Sequence, residues 1–147
     1  MLVSVWGIIM IFALVILIMP RRLTFKENII IFPIVGYFAW ISHIIVGVML
    51  DFLDFGPTKK VEFTDWALVS LLPSILAILF LNFKVDNKYL LYVFIWTILS
   101  FLIELALSLI GYMKHSGWSI WYSIPVYFLA YVMLHLFFNK VVQRPNR

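Results

Sequence analysis

Five long apolar runs set the terms on which this chain can fold. They occupy residues 1–19, 28–50, 65–83, 88–113 and 118–142. As helices rising ~1.5 Å per residue, runs of about 19 residues or more cross the ~30 Å hydrocarbon layer of a bilayer. The chain is 65% hydrophobic and 12% charged, with a mean hydropathy of +1.07, whereas a soluble domain is about 45–50% apolar and about 25% charged. Inside a bilayer each backbone N–H and C=O must find a partner within its own segment, which selects helices. The pattern predicts an all-α fold, a polytopic transmembrane helical bundle of five spans forming one domain, 1–147. The connections are too short to hold a soluble domain.

The ends of the runs carry the orientation signal. Arg21 and Arg22 follow the first run instead of preceding it, so that run reads as an uncleaved span and not a signal peptide. Five spans place the termini on opposite sides. One side collects eight of the eleven Lys and Arg residues: Arg21, Arg22, Lys26, Lys84, Lys88, Lys140, Arg144 and Arg147. The other holds three, Lys59, Lys60 and Lys114. The positive-inside rule then predicts the N-terminus out, the C-terminus in, and the 51–64 loop facing out. Trp66, Tyr112, Trp118, Trp121 and Tyr122 read as an aromatic belt at the outer interface. With the basic residues at helix ends, the net charge of +4 is no sign of nucleic-acid binding.

Glu104 stands in the middle of the fourth run, in FLIELALSLI. A carboxylate at the bilayer centre costs at least ~2.5 kcal/mol on insertion scales, so it must face protein or water. Thr97, Ser100, Glu104, Ser108 and Gly111 are spaced three or four apart, a polar stripe within roughly 80° of arc. His43 lies on a second stripe, with Gly36, Trp40, Gly47, Asp51 and Asp54, where the glycines allow close helix approach. His43 and Glu104 fall at similar depths below the outer surface, which makes them candidate partners. Tyr131 and His135 form an i, i+4 pair in the last run, at a different depth from His43, so the histidines do not suit a shared haem.

Four of the seven acids cluster at the 51–64 loop: Asp51, Asp54, Glu62 and Asp65. Four oxygen-ligand residues at one mouth suit a hard divalent cation. Lys59 and Lys60 between them suit plain neutralisation. Thr64 reads as the cap of the third helix, and Pro73 as a kink within it. There is no cysteine, hence no thiolate chemistry. The chain shows no H-E-x-x-H, no G-x-S-x-G and no phosphate-cradling glycine loop, so no catalytic residue is assigned and no cofactor is expected.

The strings GYFAWISH, LDFLDFG, DWALVSLLPS, ILFLNF, GYMKHSGW and WYSIPVYF, taken as a set, resemble a family of small integral membrane proteins of unknown function in Bacillus-type spore-forming bacteria. The resemblance implies a multi-span protein of the bacterial plasma membrane and lends no activity. Three functions remain in view. The first is a non-enzymatic accessory or assembly partner, with the lipid bilayer, copies of itself or a larger membrane complex as its surroundings. The second is a minimal transporter or channel-like element with a Glu104/His43 proton or cation relay. The third is a membrane-embedded metal-dependent enzyme at the acidic loop.

Overall fold

The structure, a computed structural model, describes residues 1–56, 58, 60–84 and 88–142. Pro57 of the Gly56-Pro57 turn lies outside the described residues, as do Lys59, Arg144 and Arg147 of the charge count. Among the described residues there are five α-helices: α1 (Leu2–Ile18), α2 (Phe25–His43), α3 (Phe63–Asn82), α4 (Tyr89–Leu109) and α5 (Ser123–Phe137). α2 and α5 continue into wider π-helical turns, Ile44–Met49 and Phe138–Val142. Four stretches are long and apolar enough to cross a membrane: Phe25–Met49, Phe63–Asn82, Tyr89–Leu109 and Ile120–Val142. α1 is equally apolar but has 17 residues.

α3 is the central helix. Its most apolar 18-residue stretch is 78% buried, against 6% for that of α2 and 11% for that of the last span. α1 and α2 pack on α3, α4 pairs with α5, and α5 also touches α3. Between α3 and α4 the contact is aromatic: Phe80 stacks on Tyr92 at 5.1 Å and meets Trp96 edge-on at 6.0 Å. Large apolar side chains such as Tyr37, Phe38, Leu129 and Met133 point outward, the arrangement a lipid solvent permits. Lipid tails are as apolar as leucine, so burial alone does not drive such helices together. Close packing and hydrogen bonds do. Gly36 supplies the close packing between α2 and α3: a Cβ there would stand 3.2 Å from Ser74 Oγ and 3.3 Å from Ser70 O. One turn along, Trp40 Nε1 donates to Ser70 Oγ at 2.8 Å.

Short polar signals set the helix ends. α2 begins at Phe25, three residues earlier than the apolar run, because Thr24 and Glu27 form a capping box. Glu27 N donates to Thr24 Oγ1 at 3.3 Å and Thr24 N to Glu27 Oε2 at 2.7 Å. Pro33 lies well inside α2. At α3 the cap is Glu62, not Thr64. Asp65 reaches back to Glu62 N at 2.7 Å, and Thr64 lies within the helix. Pro73 sits inside α3, which continues through it. α4 stops at Leu109 and not at 113, because Gly111 takes φ +73° and turns the chain back, donating to Ser108 O at 2.9 Å.

One element lies outside the all-helical expectation. β1 (Leu53–Phe55) and β2 (Met113–His115) form a two-stranded antiparallel ribbon with Leu53 opposite His115, Asp54 opposite Lys114 and Phe55 opposite Met113. Three residues per strand leave too short a run for alternation to show. The ribbon ties the end of α2 to the end of α4, so both finish at one end of the bundle. Trp6 of α1 stacks on Phe63 at that end too, at 6.1 Å. At the opposite end fully buried Asn82 accepts from the Arg22 and Leu23 backbone N–H groups at 3.1 and 3.0 Å.

Candidate functional site

Glu104 sits where α4, α5 and the ribbon meet, 3% exposed. Its Oε1 accepts from Ser123 Oγ at 2.8 Å and contacts His115 Nε2 at 2.9 Å. Its Oε2 accepts from Tyr127 OH at 2.6 Å. Trp118 Nε1 donates to Ser123 Oγ at 3.1 Å, which orients that hydroxyl. A carboxylate offers about four lone-pair sites, and three are taken. This is how a buried carboxylate is tolerated: its solvation by water is replaced by fixed polar partners from two elements, α5 and the ribbon. Ser123 and Tyr127 reach it because they are four apart and stack on one face of α5.

The same register continues along α5. Ser123, Tyr127, Tyr131, His135 and Asn139 recur every four residues and follow α4 as a polar seam. Ser100 Oγ and Tyr131 OH share a hydrogen bond of 2.7 Å, buried between the helices. Further along, the Tyr89 and His135 rings lie 4.4 Å apart, and Asn139 Nδ2 is 2.9 Å from His135 Nε2. The seam thus has three rungs, at Glu104, at Ser100 and at Tyr89. Of the other stripe residues, Thr97 turns its hydroxyl back to Val93 O at 2.9 Å. Ser108 is half-buried and offers its carbonyl to Gly111.

The structure pairs Glu104 with His115 and not with His43. His43 is held elsewhere, edge-on to Trp40 at 5.4 Å and to Phe55 at 4.9 Å. Its Nδ1 is buried and makes no hydrogen bond among the described residues. Gly47 packs beneath the ring, where a Cβ would come within 3.0 Å of it and of Leu53 O. His43 lines a cavity of about 170 Å³ together with Asp51, Asp54, Asp65 and Lys60. None of Glu104, His115, Ser123 and Tyr127 lines it.

Three of the four loop acids, Asp51, Asp54 and Asp65, border that cavity, and each of the four also has its own surroundings. Asp51 is exposed, at φ +54° in the left-handed region. Asp54 stands opposite Lys114 in the ribbon. Glu62 caps α3 and accepts from Thr58 Oγ1 at 2.8 Å. Asp65, 2% exposed, accepts from Tyr112 OH and from Glu62 N. Among the described residues no group of three or more His, Cys, Asp or Glu is arranged to hold a metal ion. Tyr112 is wholly buried, so it is a packing node and not part of the interfacial belt; Trp66, Trp121 and Tyr122 are exposed. Burial, and then the Asp65 carboxylate beside it, push the Tyr112 phenol above its usual range.

His115, Ser123 and Tyr127 are the site residues that the stripe analysis did not select. The four-residue register on α5 is a readable signal for the last two. His115 has none, because it arrives on a three-residue strand whose pairing is non-local. Chemically the centre sets an imidazole and a phenol against the two oxygens of one buried carboxylate. No family model matches this chain, and neither a curated protein nor a solved structure does.

Proposed function

We propose that the chain is a five-span protein of a bacterial plasma membrane, N-terminus out and C-terminus in, acting as a non-enzymatic accessory or assembly partner. The Lys and Arg asymmetry supports the orientation. The direction of α1 supports the fifth span: its start meets the start of α3 through Trp6 and Phe63, and the chain after its end reaches Asn82 at the end of α3. The observation that carries the functional reading is the enclosure of Glu104 by three polar partners of the same chain. A carboxylate so enclosed fastens α4, α5 and the ribbon into one body, and leaves the apolar faces of α2 and α5 for neighbours in the membrane.

The test is in-cell photo-crosslinking from Phe38 in α2 and Leu129 in α5, both exposed. Discrete protein adducts are expected. Adducts to lipid alone from both faces refute the assembly reading.

A second reading draws on the seam. The His115–Glu104–Tyr127 contacts, and the rungs continuing to Asn139, suit a proton relay along α4 and α5. In proteoliposomes holding a pH gradient, a proton flux abolished by Glu104→Gln in a normally folded protein would put this reading in place of the first.

A further inference from the structure

A groove of about 410 Å³ opens between α2 and α3, lined by Asn28, Ile29, Phe32, Pro33 and Ile78. Its walls are apolar, and Ile29 is 53% exposed on the outer surface of the bundle. One end is set by Asn82, whose amide donates to Asn28 Oδ1 at 3.2 Å and to Ile78 O at 2.9 Å. The same side chain accepts from the Arg22 and Leu23 backbone. The buried Asn82 side chain therefore links the Asn28 end of the groove to the 20–24 connection.

That connection is basic. Arg21, Arg22 and Lys26 are exposed. Lys26, Ile29 and Pro33 are spaced three and four apart, so Lys26 heads the ridge that forms the groove wall. Arg22 Nη1 donates to Lys84 O, and among the described residues the rest of its five-donor fork has no other hydrogen-bond acceptor. The neighbouring acid is occupied: Glu27 Oε2 accepts from Thr24 N and Thr24 Oγ1 at 2.7 and 2.8 Å. Asp86, close by in sequence, lies outside the described residues.

We propose that this groove binds an anionic phospholipid, one acyl chain against Ile29, Phe32, Pro33 and Ile78 and the phosphate among Arg21, Arg22 and Lys26. An acyl chain leaving bulk lipid for the groove gains only packing, so discrimination between lipids falls to the headgroup. The charge complementarity selects an anionic one. The inference rests on the membrane-spanning reading, but not on the protein's being an accessory partner.

The experiment is native mass spectrometry of the full chain in detergent micelles, offered phosphatidylglycerol and phosphatidylcholine with identical acyl chains. Retention of phosphatidylglycerol over phosphatidylcholine is expected. The preference should fall about five-fold for each charge removed in Arg21→Gln and Lys26→Gln. Ile29→Trp, which fills the groove from an exposed position, should weaken retention of both lipids. Equal retention of the two lipids by the unaltered chain overturns the proposal, as does a preference unchanged in the doubly neutralised variant. Competition by glycerol phosphate as strong as that by the intact lipid also overturns it, because the groove would then play no part. Carbonate-resistant membrane association, measured in parallel, reports on the membrane reading separately.

Discussion

His115 Nε2 and Glu104 Oε1 meet at 2.9 Å, with side chains only 12% and 3% exposed. The contact joins a strand at the end of the bundle to the last third of α4, so the ribbon and the α4–α5 pair are one mechanical unit. The carboxylate is the hub, since Ser123 and Tyr127 share it.

Glu104→Leu is expected to strand the His115, Ser123 and Tyr127 donors, each at about 1–3 kcal/mol. The outcome is loss of folded protein on size-exclusion chromatography after extraction. Glu104→Gln keeps shape and one acceptor, and should lower the unfolding free energy by about 1–2 kcal/mol while the protein stays monodisperse. Equal damage from both substitutions would show that the negative charge, and not the hydrogen-bond geometry, holds the centre.

Tyr112→Phe removes the only hydrogen bond that the Tyr112 side chain makes to Asp65. A loss of about 1.5–3 kcal/mol is expected near neutral pH, because the acceptor is a buried carboxylate. The effect depends on pH with a definite sign. Burial and Asp65 raise the folded phenol above its ordinary value, which is about 10. Its stabilising contribution is therefore complete below that value and is lost as pH rises toward the folded one. The stability gap between the parent chain and Tyr112→Phe should narrow above about pH 10. A gap that stays constant through that range rules the linkage out.

Gly36→Ala places a Cβ 3.2 Å from Ser74 Oγ and 3.3 Å from Ser70 O. The second atom is backbone and cannot rotate away, so α2 must move off α3. Overpacking of this kind costs about 1–3 kcal/mol. It should also expose the Trp40–Ser70 contact, read as a shift in tryptophan emission. Unchanged thermal stability would mean that α2 rides on α3 more loosely than the distances indicate.

The absence of cysteine makes the proposed orientation directly measurable with single-cysteine variants. Ser116→Cys, exposed beside the ribbon, is expected to react with a membrane-impermeant maleimide in intact cells. Lys26→Cys, at the opposite end, should react only after permeabilisation. The reverse pattern would invert the topology.

The helical class and the sites of most of the helices followed from the sequence alone, and the reason is local. Apolar runs of spanning length, and the need to satisfy the backbone within each run, do not depend on what a run packs against. The demand that Glu104 face inward was legible for the same reason, since lipid offers a carboxylate nothing. The Thr24-Phe-Lys-Glu27 box is a local signal that the reading of the apolar runs passed over, and it moves the start of α2 by three residues. The partner of Glu104 was a tertiary matter. Equal depth suggested His43, but depth along a helix says nothing of position around a bundle. That position is decided where β1 pairs with β2, which carries His115 onto Glu104 and leaves His43 beside Trp40 and Phe55. The acids near the 51–64 loop take different partners for a related reason, although Asp51, Asp54 and Asp65 border one cavity. They are close in sequence, but Asp65 is drawn inward by Tyr112 and Asp54 is set opposite Lys114. Each takes the partner that a non-local contact brings to it, and no spacing rule within the loop encodes that choice.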